Sequence, residues 1–246
     1  MYTELYESIV KADIANKLIL YLRKAVEEED KLACKECLLK LLPIIDEGVR
    51  RGKLRTLTPK LFINSFYDLC KRCVAGVYFG VQFPWEDVRN LLDFLSRNKE
   101  ICKKEVFARH LSFLEGRLLQ WFNFIDPIIH SYHRDLIIVA VMCGAAEPAF
   151  LLSYKFNGKF LPLRFSKYKW KDKEVRRYPW QTNDYLLNLL KGRNVCIVED
   201  YRKSGESLSE VSKYVENFKP STILETAVID RSFKNKDFYL NVKFLE

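Results

Sequence analysis

The chain has 246 residues, 48% hydrophobic, 14% aromatic and 30% charged, with a net charge of +9. That composition supplies a packed core and excludes a wholly disordered or collagen-like chain, and the length predicts one large or two small domains. The most apolar stretch, 136–152, is broken by Glu147 and Pro148, and a spanning helix needs about 20 apolar residues. The early acidic residues do not make a signal-peptide layout, so the expectation is a cytoplasmic protein with no membrane partner.

Residues 1–130 read as helical throughout, and they predict an all-α domain. Thr3 can cap a first helix carrying Leu5, Ile9, Ala12, Leu18, Ile19, Leu22 and Val26. Asp30 can cap a second, which Pro43 kinks or ends. Residues 48–56 form a basic linker. Pro59 opens a third helix and Pro84 a fourth, reaching about Asn98. A fifth runs from Lys99 to about Phe124 and ends near Asp126-Pro127. Short connections predict an antiparallel bundle. It would serve as a hood, a dimerisation element or a partner-binding domain, and a homodimer is expected.

Seven cysteines, an odd count, argue against a disulfide framework. Two pairs stand out, Cys34-Lys35-Glu36-Cys37 and Cys70-Lys71-Arg72-Cys73. Four such thiolates can hold zinc. Yet Cys34, Leu38 and Leu42 share one helical stripe, and Phe66, Cys70, Val74 and Val77 another. On apolar faces cysteine is a small hydrophobe, and that is the preferred reading. His130 and His133 have ligand-like spacing with nothing nearby to complete a metal site; they and His110 read as structural.

The pattern changes after His133. Residues 136–142, LIIVAVM, suit a buried parallel strand. A turn at 143–146 leads into a helix beginning at Glu147. Residues 160–165 predict a second strand, 182–190 a helix, 195–198 a third strand, 207–218 a helix and 222–229 a fourth strand. Alternating strands and helices predict an α/β domain with a parallel sheet over 131–246. This part is also the more basic, with 20 Lys and Arg against 14 Asp and Glu. The excess peaks at 164–177, seven basic residues against two acidic. Such a cluster attracts a polyanion or a phosphorylated small molecule; on composition alone a solvated loop is the simpler reading.

Ligands of such sheets bind beyond the carboxyl ends of the strands, where the third strand leads into Val195-Cys-Ile-Val-Glu-Asp-Tyr-Arg-Lys-Ser-Gly-Glu-Ser-Leu208. Four apolar residues end in Glu199 and Asp200. Gly205 allows close backbone approach, and Ser204 and Ser207 add hydroxyl donors. The following helix start offers unpaired N–H groups to a phosphate. Two carboxylates beside that site can accept from two sugar hydroxyls or help hold a hydrated Mg²⁺. Phosphate beside diol is the pattern of a ribose 5-phosphate.

This segment resembles the PRPP-binding motif of the type I phosphoribosyltransferases (PRPP is phosphoribosyl pyrophosphate). The family pattern is four apolar residues, two acids, a short variable stretch, Thr or Ser, Gly, any residue, then Thr or Ser. The match runs without a gap, with Ser204 for the commoner Thr and Glu206 where many members have Gly. The resemblance extends over about 130–246, though only this motif is specific.

The resemblance implies that Glu199 and Asp200 hold the ribose hydroxyls, with Mg²⁺ nearby as cofactor and no direct ligand assigned. The loop of Tyr201, Arg202, Lys203, Ser204, Gly205, Glu206 and Ser207 would cradle the 5-phosphate. The turn of Cys143, Gly144, Ala145, Ala146 and Glu147 would meet the pyrophosphate, although it lacks the Lys or Arg of some members. The basic stretch, with Lys167, Lys169, Lys171, Lys173, Arg176 and Arg177, would be the flexible loop that closes over PRPP. The implied activity is transfer of phosphoribose to a nucleobase-like nitrogen acceptor. The alternative is a non-catalytic regulator of the same fold that binds PRPP or a nucleotide. Nucleic acid is not expected as a partner, for no nucleic-acid motif accompanies the charge. The tail 232–244, with Phe233, Phe238 and Tyr239, is either a base-stacking hood or an edge strand with core aromatics.

Overall fold

The computed structural model describes residues 14–50, 59–97, 114–132, 134–142, 144–166, 171–231 and 238–245. The chain forms two compact units, Met1–His110 and Leu111–Glu246. Thr3 and the first turns of the predicted first helix lie outside the described residues, as do residues 51–56 of the predicted linker, whose first three residues, 48–50, belong to a helix.

Four helices of the first unit are described: α1 (Ile14–Glu27), α2 (Lys31–Arg50), α3 (Pro59–Tyr78) and α4 (Trp85–Arg97). Asp30 caps α2, its Oδ1 accepting from the Ala33 N–H at 2.9 Å. The helix continues past Pro43 to Arg50, so of the kink or stop expected at Pro43 the stop does not occur. An interior proline costs about 3 kcal/mol. Leu38, Leu41, Leu42 and Ile45 are all fully buried around it, and each such burial is worth about 1.5–3 kcal/mol. Packing outweighs the lost hydrogen bond. α1 packs on α2 and α4, and α2 on α3.

The cysteine pairs of α2 and α3 are buried thiols. Burial pushes the Cys37 thiol up to about 12, and pushes Cys70 and Cys73 far up. Cys73 is also hydrogen-bonded to Cys34. Thiols held protonated among Leu and Phe side chains behave as core.

The second unit begins with α5 (Leu114–His130). The sequence places this helix in the N-terminal domain and ends it near Asp126-Pro127; the structure corrects both. Leu118, Trp121, Phe122, Ile125 and Ile129 form one buried stripe. The stripe packs on strand β4 (Thr222–Asp230), where the Trp121 Nε1–H donates to Thr226 Oγ1 at 2.9 Å. Pro127 and Asn123, whose carbonyl loses its helical donor, both lie on the exposed face, so water can satisfy that carbonyl.

The remaining elements are β1 (Ile137–Val141), α6 (Ala146–Lys155), β2 (Lys159–Leu163), α7 (Asn183–Leu190), β3 (Asn194–Arg202), α8 (Glu206–Glu216) and β5 (Tyr239–Phe244). They alternate into an α/β unit with one five-stranded sheet, ordered β2-β1-β3-β4-β5. The first four strands are parallel. β5 is antiparallel at the edge, its Tyr239–Phe244 paired with β4. The tail is therefore an edge strand from Tyr239 on. Phe238 stacks on Phe124 of α5, and Phe233 lies outside the described residues. β1 is buried along its whole length and β4 likewise, as expected of strands covered on both faces. No described helix is long and apolar enough to cross a membrane.

Candidate functional site

The sheet order places a switch point between β1 and β3, because β1 leads to β2 on one side and the chain returns to β3 on the other. The crevice beyond the carboxyl ends at such a point is where open α/β sheets bind ligands. The turn after β1 and the turn after β3 flank it.

β3 is longer than the sequence predicts. The apolar pattern ends it at Val198, with a loop from Tyr201. Instead Tyr201 pairs with Ile229 and Arg202 with Asp230, and the Arg231 N–H donates to the Arg202 carbonyl at 2.9 Å. Glu199, Asp200, Tyr201 and Arg202 are thus strand residues, and backbone partners on β4 hold them there. The connection shrinks to Lys203, Ser204 and Gly205, and α8 opens at Glu206.

Successive strand side chains point to opposite faces, so the two acids diverge. Asp200 faces the turn that precedes α6. A Cβ on Gly144 would overlap all three atoms of its carboxylate group, so only glycine lets this turn lie against it. Ala145 follows, buried, as the residue before α6, and Ala146 and Glu147 are buried in its first turn. Cys143 lies outside the described residues.

Glu199 faces α8, where Ser207 in the first turn hydrogen-bonds to its carboxylate. The side chain is 7% exposed. Burial first, then the neighbouring Asp200 charge, pushes its carboxyl up to about 8, against the smaller opposing pull of Ser207 and Arg202. Its Oε2 is buried with no hydrogen-bond partner. A buried carboxyl oxygen without a donor costs free energy, and one placed at a strand end beside a helix start is a candidate ligand contact.

The turn itself is built for close approach. Gly205 has φ +76, which side chains rarely adopt. No side chain caps α8 at Gly205, and the first-turn N–H groups of such a helix face outward with a partial positive charge. Lys203 and Ser204 are exposed, while Glu206 and Ser207 are half-buried. Arg202 departs from its expected place in the phosphate loop. Its Nη1 donates to both carboxylate oxygens of buried Asp230 at 3.2 Å, and its Cζ lies 4.1 Å from the centroid of the Tyr239 ring. Sequence reasoning missed Asp230, and it named Tyr239 only as a base-stacking or edge-strand aromatic, not as a partner of Arg202. The signal for the first was present: β4, like β3, is an apolar run closed by an acid.

The described part of the basic stretch, 164–166 and 171–177, makes several contacts of its own. Arg164 and Arg176 exchange two backbone hydrogen bonds, at 2.9 and 2.7 Å. Asp172, 3% exposed at its side chain, accepts from the Ser166 N–H at 3.1 Å and pairs with Arg164 and Arg176. Arg176 also reaches Glu174, and Arg177 donates to Asn183 at the start of α7. Lys171 and Lys173 are exposed; Lys167 and Lys169 lie outside the described residues. Buried Asp172, one of the two acids in that count, is the one that pairs with Arg164 and Arg176.

Among the described residues no group of three or more His, Cys, Asp or Glu could hold a metal ion. The site therefore offers an acid pair, an anion-attracting turn and a glycine cradle. No protein-family model matches the chain, and no curated protein matches it.

Proposed function

We propose that the second unit binds PRPP at the β1/β3 crevice and transfers its phosphoribosyl group to a nucleobase-like nitrogen, with release of pyrophosphate. The observation that carries this reading is the convergence on one crevice of Gly144 against Asp200 and of Glu199, with its partnerless buried oxygen, against the first turn of α8. The unbroken motif resemblance at 195–208 supports the same ligand. The mostly parallel sheet, with its switch point at this crevice, is compatible with the parallel-sheet fold that the resemblance implies.

In this reading the backbone N–H groups around Gly205–Ser207 receive the 5-phosphate and the Ser204 hydroxyl adds a donor, while the Ser207 hydroxyl stays on Glu199. Glu199 and Asp200 bracket the ribose. Glu199, holding a proton below about pH 8, donates to one ring hydroxyl, while Asp200 accepts from the other. The Gly144–Glu147 turn lies where the pyrophosphate leaves. The bond from C1 to the pyrophosphate oxygen breaks, the bond from C1 to the acceptor nitrogen forms, and the acceptor's proton passes to solvent. Positive charge on the ribose ring is stabilised by the Asp200 carboxylate, and the fixed geometry supplies orientation.

The donor set fits Mg²⁺ brought in on the pyrophosphate, since that ion keeps several waters and takes one or two carboxylates plus substrate oxygens; Asp200 is the residue that would hold it. Bound there, the ion would neutralise charge on the leaving group.

One observation favours the second reading, a non-catalytic PRPP-binding regulator. Arg164 and Arg176 are tied to Asp172, which leaves fewer cations to neutralise pyrophosphate. Calorimetry of Mg²⁺-PRPP binding to wild type and to Asp200→Asn, followed by pyrophosphate release with pooled nucleobases, separates the cases. Binding weakened by Asp200→Asn, with release on one base, is the expected outcome. Binding without release would leave the regulator. No binding at millimolar PRPP would overturn both.

A further inference from the structure

Arg202 lies within the motif, yet nothing in the motif pattern calls for an arginine there. Its guanidinium is fixed from three sides. Asp230, whose side chain is fully buried, holds Nη1 from β4. The Tyr239 ring of β5 has its centroid 4.1 Å from Cζ. The Nε and Nη2 edge faces the turn, each atom 2.9 Å from where a Cβ on Gly205 would stand. Tyr239 is itself anchored, its hydroxyl donating to Glu225 at 3.0 Å, and Glu225 pairs with Lys243. A chain of contacts thus runs from the edge strand to the underside of the turn.

We infer that Arg202 is a positioning residue for the anion-binding turn: its guanidinium, clamped by Asp230 and Tyr239, props Gly205 in the left-handed conformation and keeps a positive charge beneath the bound phosphate. This rests on the reading that a 5-phosphate sits at Gly205–Ser207. The geometry assigns it a supporting role, because Nη1 is held by Asp230 and the Nε and Nη2 edge is set against Gly205 itself. The charge is close enough to matter. Nε and Nη2 lie against the Gly205 backbone, and low-dielectric surroundings strengthen a charge fixed at that range. The Asp230 carboxylate stands on the far side, at Nη1, so it cancels the field at a distance more than the field at the turn. An alanine at 205 would be strained by φ +76, and its methyl would press on the guanidinium.

The test compares ribose 5-phosphate with Mg²⁺-pyrophosphate as probes, by calorimetry. The first reports the turn and the second the Gly144 side of the crevice. Arg202→Met should weaken ribose 5-phosphate by about tenfold or more and leave pyrophosphate unchanged, with Arg202→Lys recovering part of the loss. Arg202→Met strands a buried carboxylate at Asp230 and threatens folding; the double variant Arg202→Met/Asp230→Asn removes both charges and should show the same selective loss. Unchanged ribose 5-phosphate affinity in the double variant, or equal loss of both probes, would overturn the positioning role. Wild type binding neither probe would instead overturn the phosphate site on which that role rests.

Discussion

Each unit of the protein buries a set of reactive side chains, and the two sets differ in what surrounds them. In the helical unit, Cys34, Cys37, Cys70 and Cys73 sit within apolar helix faces. Burial holds the thiols of Cys37, Cys70 and Cys73 protonated, and Cys73 hydrogen-bonds to Cys34. In the sheet unit, burial also holds Glu199 protonated, but its Oε2 has no donor. Glu199 lies at the carboxyl end of a strand, beside a glycine turn and a helix start. Desolvation acts alike in both places. What separates core from candidate site is a polar atom left without a partner where a ligand could supply one.

Gly144→Val presses hardest on that contrast. The new side chain must displace the Asp200 carboxylate. Overpacking of this kind costs about 1–3 kcal/mol, and PRPP binding by calorimetry should fall below detection. Retained binding would remove Asp200 and its glycine cradle from the site.

Cys73→Ser tests the other side. A hydroxyl in that apolar position should destabilise the protein by about 1–3 kcal/mol in denaturant unfolding, while PRPP affinity stays at the wild-type value. The cysteine pairs should also resist a thiol reagent in the folded protein when followed by peptide mapping, and a chelator should leave Tm unchanged. A Tm that falls with chelator would restore the zinc reading.

A separate effect, read against pH, concerns Glu199. Its carboxyl is raised from the ordinary 4.5 to about 8, so the folded state binds a proton that the unfolded state releases. That contribution to stability is full below the ordinary value and is lost as pH rises through about 8. Glu199→Gln should flatten this part of the unfolding free energy between those limits. A wild-type slope that survives the substitution would mean that Glu199 is ionised when folded.

Much of this was legible in the chain. Short apolar runs locate β1 and β4, period-3.6 patterning and capping residues locate described helices of both units, and the Val195–Leu208 spacing points to the crevice. Local pattern failed where the partner is distant in sequence. Tyr201 and Arg202 read as loop because their side chains break the apolar run, but a strand continues as long as its backbone finds a ladder, and β4 supplies one up to Asp230. Pro43 reads as a kink or stop and Pro127 as a stop because a proline's local cost is visible and the burial that outweighs it is not. Charge at 164–177 was countable, whereas which of its cations buried Asp172 pairs with depends on the Arg164–Arg176 pairing.

By itself, then, the sequence determined the order of elements, the all-α and α/β division, and which acids and glycines stand near a strand end. Those follow from residue periodicity and turn chemistry, which act over a few neighbours. Only the tertiary structure decided that α5 belongs with the sheet, that Glu199 and Asp200 face opposite walls of the crevice, and that Arg202 is clamped by Asp230 and Tyr239. Each of these depends on contacts between segments far apart in the chain, where burial and pairing outweigh local preference.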